Sequence, residues 1–296
     1  LLFSSVAVRK GSYDASYAAA KGAVAALTTS LSKELFQEVR VNCISPGLVE
    51  GSPVHQSMSD AHASNHSTRM FGGRLIQLHD LGALALSRAI HARELSCRAV
   101  MAAYLDRTHR LNPALNAIVN LAPDATLLAE ADACDAELAQ GRSRGWMHGL
   151  PQAIKDTGHA LGFPSTLGCT LLKDVMPAQD SLMTARMKAA GCIVIGKTNT
   201  PEFGLGSHTF NGVFGPTRNA FDLSKSAGGS SGGAAVALAQ RLLPVADGSD
   251  FMGSLRNPAG WNHVFGMRPS QGRVPMSPAQ DVFIAQLGTE GPMGRH

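Results

Sequence analysis

Charged residues are scarce in this sequence, and they are scattered along it. Lys, Arg, Asp and Glu make up 16% of the 296 residues, against about 25% in an average globular domain. No block of five or six consecutive basic residues occurs, and the formal net charge is only +4. This pattern argues against a nucleic-acid or membrane-surface footprint. With 44% hydrophobic residues, the chain is predicted to fold around a sizeable core.

Long apolar runs and cysteine motifs are also absent. The longest uncharged stretches, such as residues 157–172, contain polar residues, glycine and proline, and they fall short of the roughly 20 apolar residues that span a membrane. The five cysteines are scattered and never in C-x-x-C spacing, so neither a disulfide framework nor a zinc ribbon is encoded. We therefore predict no membrane span, and a reducing compartment, the cytoplasm.

A metal site is not predicted either. His62 and His66 stand four residues apart and close to His55, which could bring imidazoles together. No carboxylate or cysteine completes a ligand set at the usual spacing. Solvated histidines are the expected outcome.

The chain divides by composition into three parts. Residues 1–50 read as strand, helix and strand, and residues 51–74 lose all periodicity and have the composition of a linker. Residues 75–296 alternate helical and strand-like segments, which predicts an α/β fold with a mixed, mostly parallel sheet flanked by helices. Residues 1–50 are predicted to add a partial Rossmann-like β-α-β fragment.

The first chemical constellation is Tyr17 and Lys21, four residues apart on one face of a predicted helix. An adjacent ammonium stabilises a phenolate and lowers the pKa of the tyrosine, which allows acid-base work. The run SSVAVRKGSYDASYAAAKGAVAALTTSLSKEL resembles the second half of a short-chain dehydrogenase/reductase, with Ser4 or Ser5 as its serine. The nucleotide-binding glycine turn of that family is not found. We therefore interpret Tyr17 and Lys21 as a relic site that uses no cofactor.

The second constellation joins a lysine to two small-residue turns. Lys155 ends a predicted strand, Ser230 lies in the loop GGSSGG before a helix, and Ser254 lies in GSDFMGSLRNPAG. A lysine whose pKa is depressed by burial accepts a proton, and one serine can relay that proton from another. These residue types therefore predict nucleophilic catalysis by a serine.

Four segments carry a resemblance to the amidase signature family of serine hydrolases. They read GLPQAIKDT, DSLMTARMKAAGCIVIGKTNTPEFGLGSHTFN, GGSSGGAAVA and GSDFMGSLRNPAGWNHVFGMRPSQGRVP. The resemblance implies that Lys155 is the general base, Ser230 the bridging serine with a cis peptide bond, and Ser254 the nucleophile that forms an acyl-enzyme.

The resemblance also assigns the residues around this triad. It implies an oxyanion hole from the backbone N–H groups of Phe251, Met252, Gly253 and Ser254, and a supporting hydrogen bond from Ser231. Asp250 and Arg256 are expected to be scaffold residues, and His208 and His263 scaffold or pocket lining. Met252 stands where the family usually has glycine, so a narrowed pocket or a strained backbone is expected there.

The prediction is an amidase that hydrolyses the C–N bond of a small-molecule amide. The chain ends 42 residues after Ser254, whereas the family continues through further strands, so an incomplete domain of poor activity is expected. Two alternatives stay open: a catalytically silent fusion of two incomplete domains, and an NAD(P)-dependent reductase using Tyr17 and Lys21. No nucleic-acid or membrane partner is predicted, and a homo-oligomer is compatible with the sequence.

Overall fold

The computed structural model describes residues 77–276 and 287–295, the backbone of two short N-terminal strands, and helical positions at residues 23 and 26. The chain divides into two compact units, Leu1–Leu78 and His79–His296. The three-part organisation with a linker at 51–74 stays a prediction. Tyr17, Lys21, Ser4 and Ser5 lie outside the described residues.

In the first unit, strand β1 (Leu2–Phe3) pairs with strand β2 (Cys43–Ile44). The pairing is parallel, with Leu2 opposite Cys43. Helical backbone at residues 23 and 26 lies between the two strands in the sequence. A parallel pair requires a crossover connection, and a helix is the usual one.

The second unit alternates helices and strands. Its helices are α1 (Ala83–His91), α2 (Cys97–Leu115), α3 (Asp124–Ala139), α4 (Leu182–Ala189), α5 (Gly232–Ala239) and α6 (Arg256–Trp261). Its strands are β3 (Ile118–Val119), β4 (Pro151–Lys155), β5 (Ile193–Thr198), β6 (Ala246–Asp250), β7 (Phe265–Gly266) and β8 (Thr289–Gly294). Short 3-10 turns occupy Leu78–Asp80, Thr170–Leu172 and Glu202–Gly204.

Apolar residues at three-to-four spacing over Ser96–Leu111 predict a helix, with Ser96 as its N-cap and a stop at Asn112-Pro113. Helix α2 begins where the sequence predicts and ends later. The Ser96 side chain accepts a hydrogen bond from the Ala99 N–H at 3.0 Å, as an N-cap should. The predicted stop at Asn112-Pro113 is wrong, because the helix continues to Leu115 and ends at Asn116 in a left-handed conformation, with φ 53°. A proline this near the C-terminus removes only one N–H, so a last turn can still form.

The strands form two three-stranded sheets. In the first, with order β3-β5-β4, β4 runs parallel to β5 and β3 antiparallel to it. In the second, with order β6-β8-β7, both pairings are antiparallel. The predicted α/β class with mixed sheets flanked by helices is confirmed. Among the described strands, however, the parallel share is smaller than predicted.

Asp247 joins the two sheets through its side chain. Its carboxylate accepts from Gln152 Nε2 and from the backbone N–H of Lys155, each at 3.0 Å. Burial raises the pKa of this carboxyl group. The bonds fix the end of β4, and therefore Lys155, beside β6.

Strand β6 lies later than the sequence indicates. The apolar run at residues 243–246 predicts a strand there, but the strand runs over Ala246–Asp250, with the sequence ADGSD. Aspartate and glycine are depleted in strands, so local propensity does not indicate a strand here. Pairing with β8 provides the hydrogen bonds instead.

The core of the second unit is built around α5, which is buried from Gly232 to Leu238. Gly233 permits its close approach, since a Cβ there would lie 2.4 Å from the Asn199 backbone nitrogen and 2.6 Å from the Ala117 carbonyl oxygen. Four cysteines, Cys97, Cys134, Cys169 and Cys192, are buried as free thiols. Within the described residues, no helix is long and apolar enough to cross a membrane.

Candidate active site

Lys155 ends β4 in the protein interior. Its side chain is 1% exposed. Its Nζ lies 2.7 Å from Ser230 Oγ, 2.9 Å from Ser231 Oγ and 2.9 Å from Ser249 Oγ. The structure therefore brings two predicted serines to the predicted lysine and adds a third hydroxyl group.

Burial lowers the pKa of Lys155 to about 7, because the interior penalises the ammonium form. The carboxyl groups of Asp247, Asp250 and Glu290 act in the opposite direction and raise it. The net result is an amine that loses its proton near neutral pH. Such an amine can accept a proton from a neighbouring hydroxyl.

The hydrogen bonds of the three serines limit how a neutral Lys155 is accommodated. An ammonium has three protons for three hydroxyl oxygens, whereas a neutral amine has two protons and one lone pair. Ser231 Oγ directs its own proton to the Ser249 carbonyl oxygen at 3.2 Å. The hydroxyl that donates to the neutral amine is therefore that of Ser230 or Ser249.

Ser230 and Ser231 immediately precede α5, and the peptide bond between Gly229 and Ser230 is cis. Ser254 lies between β6 and α6 and is partly buried. The backbone N–H of Ser231 donates to the Ser254 carbonyl oxygen at 3.2 Å. The segment that contacts Lys155 is thus bonded directly to the segment that carries the predicted nucleophile.

Asp250 organises the loop that contains Ser254. Its buried carboxylate accepts from the backbone N–H groups of Gly253 at 2.8 Å and Leu255 at 3.1 Å. It also pairs with Arg256 at 3.0 Å and Arg268 at 2.9 Å. Burial acts to raise the pKa of Asp250, but these four donors hold that pKa well below its usual range. The predicted scaffold role of Asp250 and Arg256 agrees with this geometry.

One of the amides predicted for the oxyanion hole has a hydrogen-bond partner within the loop. Because the Gly253 N–H donates to Asp250, it is not free to bind a developing oxyanion in this conformation. The backbone N–H groups of Phe251, Met252 and Ser254 donate to none of the described residues. These three amides are therefore the available donors.

Met252 does not strain the loop. The residue with a positive φ is Gly253, at 120°, and Met252 is not among the non-glycine residues with positive φ. The Met252 side chain is 83% exposed. The expected strain is absent because the left-handed position falls on the following glycine.

A buried ion pair lies next to Lys155 in the sequence. Lys197 Nζ lies 3.1 Å from Asp156 Oδ1, and neither side chain is exposed. Lys197 also donates to the Gly158 carbonyl oxygen at 2.7 Å, and Thr166 donates to Asp156. Since both charged groups have partners, the ion pair fixes the chain segment that follows Lys155.

Sequence reasoning missed three groups around Lys155: Asp247, Ser249 and Glu290. Asp247 and Ser249 were missed because the apolar run at residues 243–246 predicts a strand that ends before them. Residues two apart in a strand share a face, but without the correct strand this relation could not be used. Glu290 reaches the site through pairing between β6 and β8, for which the sequence carries no local signal.

Several other candidates lie elsewhere. His208 Nδ1 lies 2.8 Å from Ser226 Oγ, and the His263 ring packs edge-on against Phe221, so neither is bonded to Ser254. His55, His62 and His66 lie outside the described residues. Within the described part of the chain, no group of three or more metal-binding side chains occurs.

Two protein families match this chain. The family model described as Amidase matches residues 99–296, a range that contains Lys155, Ser230 and Ser254. The chain belongs to the amidase signature family. A second family model, described as Enoyl-(Acyl carrier protein) reductase, matches residues 1–90, in keeping with the dehydrogenase-like resemblance of residues 1–50.

Curated relatives of this amidase-family chain include subunits of glutamyl-tRNA(Gln) amidotransferase from two bacteria. The one from Acidothermus cellulolyticus is 40% identical over 213 residues, which is 72% of this chain and 42% of the relative. The one from Thermus thermophilus is 41% identical over 214 residues, which is 71% of this chain and 43% of the relative. The chain spans less than half the length of these relatives.

Solved amidases have the same fold. A bacterial aryl acylamidase of the amidase signature family superposes with a TM-score of 0.68 at 35% identity, covering 73% of this chain and 45% of that one. The peptide amidase from Stenotrophomonas maltophilia gives a TM-score of 0.65 at 34% identity with the same coverage.

Proposed function

We propose that this chain hydrolyses the C–N bond of a small-molecule amide through an acyl-enzyme on Ser254. The observation that carries the proposal is the buried Lys155 amine, which contacts three serine hydroxyls and has its pKa lowered to about 7. Membership of the amidase signature family supports the same chemistry. The four buried free thiols support a reducing compartment, the cytoplasm, as its location.

In this proposal Ser254 Oγ attacks the carbonyl carbon of the amide. Its proton passes to Ser230 Oγ as the proton of Ser230 passes to Lys155 Nζ. The carbonyl electron pair moves to the oxygen, where the N–H groups of Phe251, Met252 and Ser254 are the available stabilising donors. Return of the proton from Lys155 through Ser230 to the nitrogen releases the amine, and water then hydrolyses the acyl-Ser254 ester.

A second candidate is transfer of amide nitrogen to an acceptor other than water. The identity of about 40% to proteins named as glutamyl-tRNA(Gln) amidotransferase components favours it. The two candidates share the acyl-enzyme and differ in what receives the nitrogen. Ammonia released from glutamine, but no amine released from anilides, would favour this second candidate.

The test measures amine release from a panel of anilides and primary amides. We expect Ser254→Ala to abolish turnover and Lys155→Ala to reduce it by several orders of magnitude, because the members of a proton relay act as a unit. The exposed Ser224 provides a matched control, and Ser224→Ala should retain wild-type turnover. Wild-type turnover in Ser254→Ala, or no turnover of any amide by the wild-type chain, would contradict the proposal.

A further inference from the structure

Glu290 lies opposite Ser249 in the antiparallel pairing of β8 with β6. Directly opposed residues in such a pair point to the same face of the sheet, with Cβ atoms about 5 Å apart. The Ser249 hydroxyl accepts from Lys155 Nζ at 2.9 Å. The Glu290 carboxyl group is therefore on the face of the sheet that meets the lysine, and like Ser249 it is partly buried.

The other carboxylates near Lys155 have fixed partners. Asp247 accepts from Gln152 and from the Lys155 backbone. Asp250 is paired with two arginines. The Glu290 carboxyl group, in contrast, has no hydrogen-bond partner among the described residues. Among the described residues, it is therefore the carboxyl group near Lys155 that no hydrogen bond or ion pair holds in place.

Burial and the charge of Asp247 raise the pKa of Glu290 to about 7, and Lys155 acts to lower it. Glu290 and Lys155 thus exchange protons with solvent in the same pH range. Two interacting groups of this kind titrate in two macroscopic steps that belong to the pair.

We propose that Glu290 is a positioning residue whose charge sets the protonation state of Lys155. The proposal rests on the proposed role of Lys155 as general base. When Glu290 is ionised, its charge favours the ammonium form, which cannot accept a proton. When Glu290 is neutral, Lys155 loses its proton at lower pH, and the amine is ready to act as a base.

The decisive measurement is NMR titration of the full chain carrying ¹³C-labelled lysine, with the Lys155 Cε signal assigned from Lys155→Arg. Glu290→Gln preserves the size of the side chain and removes its charge. We expect the Lys155 midpoint to fall by about one pH unit and the two-step titration to become a single step. Glu290→Asp, which keeps the charge, should stay closer to the wild type.

Glu94→Gln is the matched control, because Glu94 is exposed in the turn between α1 and α2, and it should leave the Lys155 midpoint unchanged. An unchanged midpoint in Glu290→Gln, with a cooperative melt showing that the variant is folded, would overturn the proposal. This readout needs no turnover, so it stands or fails independently of the amidase assay. Where turnover is measured, the acid limb of the kcat/KM profile should shift to lower pH in Glu290→Gln, whereas a merely structural role would lower kcat/KM equally at all pH values.

Discussion

Asp250 takes no part in the proposed chemistry, yet its side chain holds the loop that contains Ser254. One carboxylate accepts from two backbone N–H groups and pairs with two arginines. Its donors lie within the loop that presents Ser254 and after it. The position of the proposed nucleophile therefore depends on a residue that does not react.

Asp250→Asn tests this dependence. Asparagine keeps the shape of the aspartate side chain, but its NH₂ group would face donors instead of accepting from them. Two backbone N–H groups and two guanidinium groups therefore lose their anionic acceptor. Because Arg256 is half-exposed, we expect a cost of about 2–4 kcal/mol in the free energy of unfolding, less than for a fully buried pair. Urea unfolding followed by circular dichroism measures it.

Asp222→Asn is the control for this substitution. Asp222 also accepts hydrogen bonds, from Ser224, but it is exposed, and its replacement should leave the free energy of unfolding close to that of the wild type. Equal effects of the two substitutions would show that Asp250 does not organise its loop. The pKa of Asp250 is depressed, so its contribution is present above the ordinary pKa of aspartate and is lost as pH falls through the folded value.

At the scale of elements, α5 sets the distance between the serine loop and the strands. The helix is buried along its length and consists of small residues over its first four positions. Its N-terminus approaches the backbone of Asn199 at the end of β5. Side-chain volume at this point would move the whole helix, and Ser230 and Ser231 with it.

Gly233→Ala should therefore destabilise the protein strongly. Alanine ordinarily favours a helix over glycine by about 1 kcal/mol, but the added Cβ would lie 2.4 Å from a backbone nitrogen, and backbone cannot give way as a flexible side chain can. We expect a loss of about 3 kcal/mol or more, measured by thermal and urea unfolding.

Gly260→Ala provides the opposite outcome in another helix. Gly260 lies in α6, and a Cβ there would meet nothing within 4 Å. Propensity alone then predicts a gain of up to about 1 kcal/mol. If Gly233→Ala were as well tolerated as Gly260→Ala, the close packing of α5 against the Asn199 backbone would be contradicted.

Some elements of the fold can be predicted from the sequence and others cannot. The Ser96 cap and the glycine-rich start of α5 carry local signals, and helices begin near both. Strand β6 does not, because ADGSD has little strand propensity and is held by pairing with a distant segment. The same limit applies to the site: Lys155 and Ser230 are in recognisable motifs, whereas Glu290 reaches Lys155 only through strand register.

At the scale of the whole molecule, Lys155 and Glu290 give the free energy of unfolding an unusual dependence on pH. The pKa of Lys155 falls from 10.5 to about 7 on folding, so between these values the unfolded chain binds more protons and stability rises with pH. The pKa of Glu290 rises from 4.5 to about 7, so between those values the folded chain binds more protons and stability falls with pH.

Together the two groups predict a minimum near pH 7 in their combined contribution. It is measured as the difference in unfolding free energy between the wild type and the double variant Lys155→Met/Glu290→Gln, in which all other titrating groups cancel. Each side of the minimum should slope by at most about 1.4 kcal/mol per pH unit. A difference that does not vary between pH 5 and 10 would show that neither pKa is shifted.

The four buried cysteines give the second unit a set of internal reporters. An alkylating reagent reacts with a thiolate that it can reach, and Cys97, Cys134, Cys169 and Cys192 are all covered in the folded state. Their modification therefore requires the protein to open, and the rate at each thiol reports the opening of its own neighbourhood. The modification rate of Cys97, at the start of α2, would report local opening of that helix. The rate of Cys192, directly before β5, would report opening of the sheet that contains Lys155.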